Sequence, residues 1–572
     1  MRKRPALFAL IAITACATGP AVVPPVATLA PPPQTAAETL LALNALCSAE
    51  ALGADQFAPD IRLAGGMGTG GFKVDTTVKA AQDWFNYGLA LSHAFYHQDA
   101  KAAMKKAVEA DPACSICSWG EAWALGPTLN YGINEDERKA ALAAAERAKS
   151  LVKPGDALAL RLADAMVARY APEAAVDGPK NILGGARAGQ GKTEPAFGQA
   201  LAKIAADYPG EPELAVLAAH SLMMPVRGGD ESTLKQALTL IEAVLKTHPD
   251  DTGAIHYYIH GTEFDDRAED ALPYADKLGR LAPLASHLVH MPAHTFFHAG
   301  RYQDAAVVNA QAIEADTKWM DLGGDPRPPM DGKFILPMYY AHNLSFGLAG
   351  AMMSGDGELA LRYAEHATKA YPPTGPEQRW DPTPRTWVAL ARYAPDRMLA
   401  VPPVTRDDPE FRAYRAYARG EALLQKGDAA GARRELDLLR KDAAGEDEQQ
   451  VAVAVLEGRL AMAEGNTARA LERFRAGADI QESKLTGYMD PPAWWYPVRR
   501  SVAAAHLRQG DFARAESEAR ASLNAWKHDP LALWVLGKAL EGQGHAQDAA
   551  ETLSRARNLW RGNFDSITVE AI

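Results

Sequence analysis

Residues 256–260 read HYYIH and residues 290–294 read HMPAH. Each string opens and closes on histidine, and both members of the first pair, His256 and His260, recur 34 residues later as His290 and His294. A helix–turn–helix repeat unit is about 34 residues long, and equivalent positions of neighbouring units stack side by side. His256 and His260, at i and i+4, share one helix face, and His294 and His298 share the same spacing on the next first helix, which Pro292 opens, with His287 and His290 entering from the preceding turn. The sequence therefore predicts an all-α solenoid in which four histidines of adjacent units converge.

The surrounding chain has the same texture. From about residue 78 onward Ala, Leu, Arg and Glu dominate, apolar residues recur every three or four positions, and no alternating β-branched run interrupts them. Helix pairs are punctuated by one style of turn, a glycine followed five positions later by alanine. The pairs are Gly300/Ala305, Gly355/Ala360, Gly427/Ala432, Gly465/Ala470, Gly510/Ala515 and Gly544/Ala549. The glycine supplies a left-handed end to the first helix, and the small alanine lets the second pack closely against it. This is the pattern of a tetratricopeptide-type array, a right-handed superhelix of helix pairs whose concave side is the usual binding surface. Insertions rich in Gly or Pro fall at 173–193, 321–337 and 372–385, and 401–409 reads as a junction. The expected organisation is an N-terminal array over 76–400 carrying the histidines, a C-terminal array over 401–562, and a tail over 563–572. The Gly-rich stretch 59–75 is expected to pack irregularly against the first repeat.

The 572 residues carry a formal net charge of −11 and are 48% hydrophobic. That is too long for one compact core and apolar enough to fold. An acidic chain is a poor nucleic-acid partner, because phosphate demands a basic face. The N-terminus reads as an export signal. Arg2, Lys3 and Arg4 precede a short apolar segment from Ala6 to Ala15, too short to span a bilayer. Ile13-Thr14-Ala15-Cys16 resembles a lipobox, so Cys16 is the expected lipidation site and residues 1–16 the signal. The Pro-rich stretch that follows, within a linker spanning 17–75, would be a semi-rigid spacer between membrane and folded body. Expected localisation is the outer membrane or periplasm. In an oxidising compartment Cys114 and Cys117 are a candidate disulfide. Their C-x-x-C lacks the βαβ context of a redox motif and the following His of a haem site.

Several strings, taken jointly, resemble a poorly characterised family of bacterial exported tetratricopeptide-repeat proteins over most of residues 76–560. They are FNYGLALSHAFYHQDA, DPACSICSWGEAWALGPTLN, AIHYYIHGTE, ASHLVHMPAHTFFHAGRY, YYAHN and PPAWWYPVR. The resemblance implies an α-solenoid and no established reaction. Its pattern places histidines where this chain has His256, His260, His287, His290, His294 and His342. The chain departs from the family pattern at His220, where relatives tend to carry Glu, and at His298, where they tend to carry Arg.

Neighbouring first helices pack with axes about 8–10 Å apart, so imidazoles in the shared groove can reach one ion at about 2.0–2.1 Å each. His256, His260, His290 and His294 are the candidate ligands, with His220, Glu263, His287, His298 and His342 as neighbours. An all-imidazole set suits Zn, Cu, Ni or Fe. HYYIH has the two-His spacing of a zinc-protease helix but carries Tyr257 where that motif needs Glu. The same histidines also have a packing reading, since a duplicated repeat duplicates its inter-helix hydrogen bonds. Residues 186–193, ARAGQGKT, approach a phosphate loop but start on Ala186 and follow no strand, so nucleotide binding is not expected; Thr193 reads as the cap of the next helix. Trp84, Phe85, Trp119, Trp123, Trp494 and Tyr496 read as core. No nucleophile or paired carboxylate points to a reaction. The leading expectation is an envelope scaffold binding a protein or peptide in its concave groove. The alternative is a metal-binding protein or metal-dependent enzyme centred on the histidines.

Overall fold

The computed structural model describes residues 61–130, 132–171, 193–225, 231–321, 335–370, 382–405, 407–443, 445–485 and 492–572. The expected export signal with Cys16, the Pro-rich spacer and residues 186–192 of the phosphate-loop-like string lie outside them. Among the described residues the regular elements are all helices, arranged as consecutive antiparallel pairs, each packed on the next. The array is a tetratricopeptide-type α-solenoid.

The turn rule explains the pairing. All six turn glycines have positive φ, between 73° and 82°, and all six alanines five residues on are buried. At Gly300 the geometry is explicit. Gly300 N–H donates to Phe297 O at 3.0 Å and Arg301 N–H to Phe296 O at 2.7 Å, which satisfies the last carbonyls of the preceding helix. Two further turns close in the same way without glycine. Phe95 (φ 59°) precedes buried Ala100, and Asp266 (φ 53°) precedes buried Ala271. In both, the next residue donates back to the helix, Tyr96 N–H to Leu91 O at 2.9 Å and Arg267 N–H to Thr262 O at 2.7 Å.

The superhelix turns tightly enough for distant repeats to touch. The helix Lys79–His93 packs on Thr252–Phe264, about 170 residues later in the chain. Every residue from Thr252 to Thr262 is buried, so the HYYIH helix is covered on all faces, as only an interior helix is. Residues 61–74 help to cover it. They run along the N-terminal ends of three first helices: Gly71 N–H donates to Glu213 at 3.1 Å, Thr69 N–H to Thr252 Oγ1 at 2.7 Å, and Leu284 N–H to Gly66 O at 2.9 Å. The expected packing of this stretch on the first repeat therefore extends to repeats much further along.

The C-terminal repeats return to the N-terminal array. Tyr302 Oη donates to Lys527 O at 2.9 Å, Arg561 N–H donates to Ser354 O at 2.8 Å, and Phe297 lies edge-on to Trp526 at 5.8 Å. The buried Arg500–Asp529 pair, 3.1 Å apart, lies beside Met353. These contacts brace the helices Tyr302–Asp321 and Ile335–Ser354, which carry part of the histidine site. No described helix is long and apolar enough to cross a membrane.

Candidate metal centre

Six histidines meet in the interior of the superhelix, in two groups of three. His256, His260 and His287 form one; His290, His294 and His342 form the other. Within each group the candidate ligand nitrogens lie within 4.8 Å of one another. His256 and His260 come from Thr252–Phe264. His287 and His290 come from the short helix Ser286–His290, and His294 from Pro292–His298. His342 reaches in from Ile335–Ser354. Pro292 stands at the first position of its helix, where its missing N–H costs nothing. The break at Met291 divides the run, so His287 serves the first triad and His290 the second.

The hydrogen bonds fix which nitrogen of each ring carries hydrogen. His256 Nδ1 is 2.5 Å from the His93 carbonyl, which can only accept, so Nδ1 carries the hydrogen. Asn309 uses its amide N–H on Ala305 O at 2.8 Å, which leaves its oxygen to accept from His290 Nδ1 at 2.7 Å. His294 Nδ1 donates to Glu263 at 3.1 Å. In His256 and His290, which burial keeps neutral, the lone pair is therefore on Nε2. Yet His290 Nε2 and His294 Nε2 are 3.0 Å apart, His342 Nε2 is 3.0 Å from His290 Nε2, and His256 Nε2 is 3.1 Å from His287 Nε2. Each of these contacts is closed either by one ring (His294, His342 or His287) donating Nε2–H to the lone pair of the other, or by a cation that takes the place of that hydrogen. Nitrogens about 2.0–2.1 Å from one tetrahedral ion would sit roughly 3.3 Å apart, close to what is observed.

Burial keeps His256, His287 and His290 neutral. Burial, opposed by the bond to the His93 carbonyl, lowers His256 to about 3. Burial, reinforced by neighbouring imidazoles, drops His287 and His290 well below the usual value. Neutral imidazole is the form that binds metal. Glu263, although burial would raise it, is held well below the usual carboxylate range by His294 and His298. It bonds both rings, His298 Nε2 at 3.2 Å, from behind. That is the carboxylate–histidine arrangement which orients a metal ligand.

The four histidines expected at a single ion are thus divided between two centres. Their three helices approach one another, but the ligand nitrogens fall into two separate triads, completed by His287 and His342. His220 stands apart, packed between Trp123 and Tyr257 with ring centroids at 5.5 and 5.0 Å. Glu263 and His298 support the second triad rather than enter it. Cys114 and Cys117 are disulfide-bonded, with Cα atoms 5.3 Å apart, at the start of the helix Ser115–Ala124. Thr193 precedes the helix Glu194–Asp207 as expected, but its hydroxyl donates to Arg169 O at 2.7 Å instead of capping.

Sequence reasoning missed three contributors. Phe95 forms a buried wall over the first triad, its ring centroid 4.6 Å from His256, 5.1 Å from His287 and 6.2 Å from His260. His93 links that triad to Glu213 at 2.5 Å and to Tyr257 at 3.0 Å; although burial opposes it, Glu213 raises its pKa. Asn309 orients His290. The string FNYGLALSHAFYHQDA contains His93 and Phe95, but nothing local says that it meets residue 256.

No family model matches the chain, and no curated protein matches it. Among solved structures it is similar to a human IFIT1 dimer with m7Gppp-AAAA, at 12% identity over 85% of this chain and 91% of that one, with a TM-score of 0.29. It is similar to Cut9 in the APC/C Cut9–Hcn1 hetero-tetramer, at 13% identity over 85% and 78%, with a TM-score of 0.27. A Naa15/Naa10 structure bound to HypK-THB gives 12% over 84% and 89%, with a TM-score of 0.21. Likeness of this degree carries nothing about ligand, partner or activity.

Proposed function

We propose that the protein is an exported, lipid-anchored solenoid of the bacterial cell envelope that holds transition-metal ions in its histidine core. The observation that carries this reading is the pair of histidine triads, in each of which three candidate ligand nitrogens lie within 4.8 Å of one another, with the opposite nitrogens of His256, His290 and His294 committed to hydrogen bonds. The ions would be Zn, Cu, Ni or Fe. The test is elemental analysis of tag-free protein, as isolated and after reconstitution with each metal. About two equivalents, falling to about one in His256→Ala and in His342→Ala, are expected. Absence of retained metal under every condition would defeat the reading. The anchor rests on the Ile13–Cys16 string; Cys16→Ala should move the protein from membrane to soluble fractions, and continued membrane partition would count against it.

A second reading, a scaffold for a protein or peptide partner, is favoured by residues 61–74. This extended stretch already bonds through its backbone to the ends of successive first helices, so such a surface accepts an extended chain. A partner retained in the presence of chelator would support it.

A further inference from the structure

The two triads are near enough to act together. Ring centroids of different triads approach to 5.8 Å (His260–His294) and 5.9 Å (His287–His290). Within a triad they are 4.6 to 6.5 Å apart. Each triad offers three imidazoles and no carboxylate ligand, so an ion in it keeps an open coordination position. Glu263, the carboxylate bonded to His294, is turned to the Nδ1 side of that ring, away from the ligating nitrogen.

Charge then discriminates among the metals. Six imidazole ligands cancel none of the ionic charge themselves, with the Glu263 carboxylate behind His294 as counter-charge, and desolvation cost rises steeply with charge. Two divalent ions would place four positive charges there, while two cuprous ions place only two. Imidazole-only, three-coordinate sites also suit Cu(I), whereas paired hydrolytic ions use bridging carboxylates that this site lacks.

We infer that the triads bind a pair of copper ions, one each, whose open positions face one another and together take up one molecule of dioxygen. The electron count closes without another reactant. Each Cu(I) gives one electron, O2 becomes bound peroxide with its O–O bond order reduced from two to one, and both ions become Cu(II). Four positive charges and the peroxide's two negative charges leave the net charge unchanged, so the step adds no charge to the buried interior. His342, less buried than the other five, marks the side from which a small molecule reaches the pair.

This inference rests on the metal-binding reading, and the experiment separates their failures. Metal-free full-length protein is loaded anaerobically with two equivalents of Cu(I) and then exposed to dioxygen in an oxygen-electrode cell. The expected result is one O2 consumed per two copper ions, a new near-ultraviolet absorption band and no Cu(II) paramagnetic resonance signal, because paired ions couple. His342→Ala, at the less buried ligand, should retain one copper and lose the uptake. Circular dichroism checks that the variant is folded, and the wild-type stoichiometry stands independently of it. Two bound copper ions with no uptake, or with the resonance of isolated Cu(II), would overturn the inference and leave metal binding intact. So would retention of two zinc ions with no retention of copper. Failure to bind any metal would defeat both.

Discussion

Phe95 provides a test in which two substitutions should fall in an unusual order. It occupies the turn position that glycine holds at Gly300 and Gly355, with φ of 59°, and its ring is fully buried against His256 and His287. A left-handed conformation costs a residue with a Cβ roughly 1–2 kcal/mol. Removing a buried phenylalanine ring costs about 3–5 kcal/mol. Phe95→Ala loses the ring and keeps the strain, so it should destabilise by about the full cavity cost. Phe95→Gly loses the same ring but relieves the strain, and should be the more stable of the two by about 1 kcal/mol. At an ordinary helix position the order is reversed, glycine being worse than alanine by roughly 0.5–1 kcal/mol. Urea unfolding of the metal-free variants, followed by circular dichroism, gives the comparison as a difference in midpoint. Equal midpoints, or a higher midpoint for alanine, would refute the claim that strain is stored there to hold the aromatic wall against the first triad.

Glu263→Gln should weaken metal binding at the second triad about 10–100-fold, because an amide cannot supply the charge that orients His294 and His298; unchanged affinity in chelator competition would remove Glu263 from the site. Asp316, buried with Oδ2 unbonded, is raised by burial from 3.8 to about 7, partly offset by Ser286. The folded protein thus keeps a proton that the unfolded chain loses, and this contribution to stability declines as pH rises from about 4 to 7. Asp316→Asn should gain roughly 2–4 kcal/mol over the parent at pH 8 and little at pH 4, and a gain independent of pH would contradict the assignment. The buried bidentate pair of Arg169 and Glu194, at 2.7 and 3.0 Å, should cost about 3–5 kcal/mol when Glu194→Ala strands the guanidinium. Replacing both by apolar residues of similar size should recover most of that, and a double variant as unstable as the single would argue against a stranded charge.

The fold was legible because its signal is local. A glycine with an alanine five residues later encodes the end of one helix and the close start of the next, and all six such pairs behave that way. The rule missed the turns at Phe95 and Asp266 because tertiary context there holds other residues in the glycine conformation. The site was legible in part for a related reason. The 34-residue spacing put the right helices side by side, and His256 and His260 share one helix as expected, whereas His290 and His294 fall on either side of the break at Met291. Their division into two triads depends on the helix break at Met291 and on His342 arriving from another repeat, which no spacing reveals. The contribution of His93 and Phe95 depends on the superhelix closing on itself across about 160 residues, a property of accumulated repeat geometry.

The most direct test of the central claim is anomalous X-ray scattering from crystals of the protein as isolated, measured at the absorption edge of the metal that elemental analysis finds. The account predicts two peaks, one bounded by His256, His260 and His287, the other by His290, His294 and His342, about 3.5–4 Å apart. A single ion shared by histidines of both triads, or no peak at either after reconstitution, would contradict it.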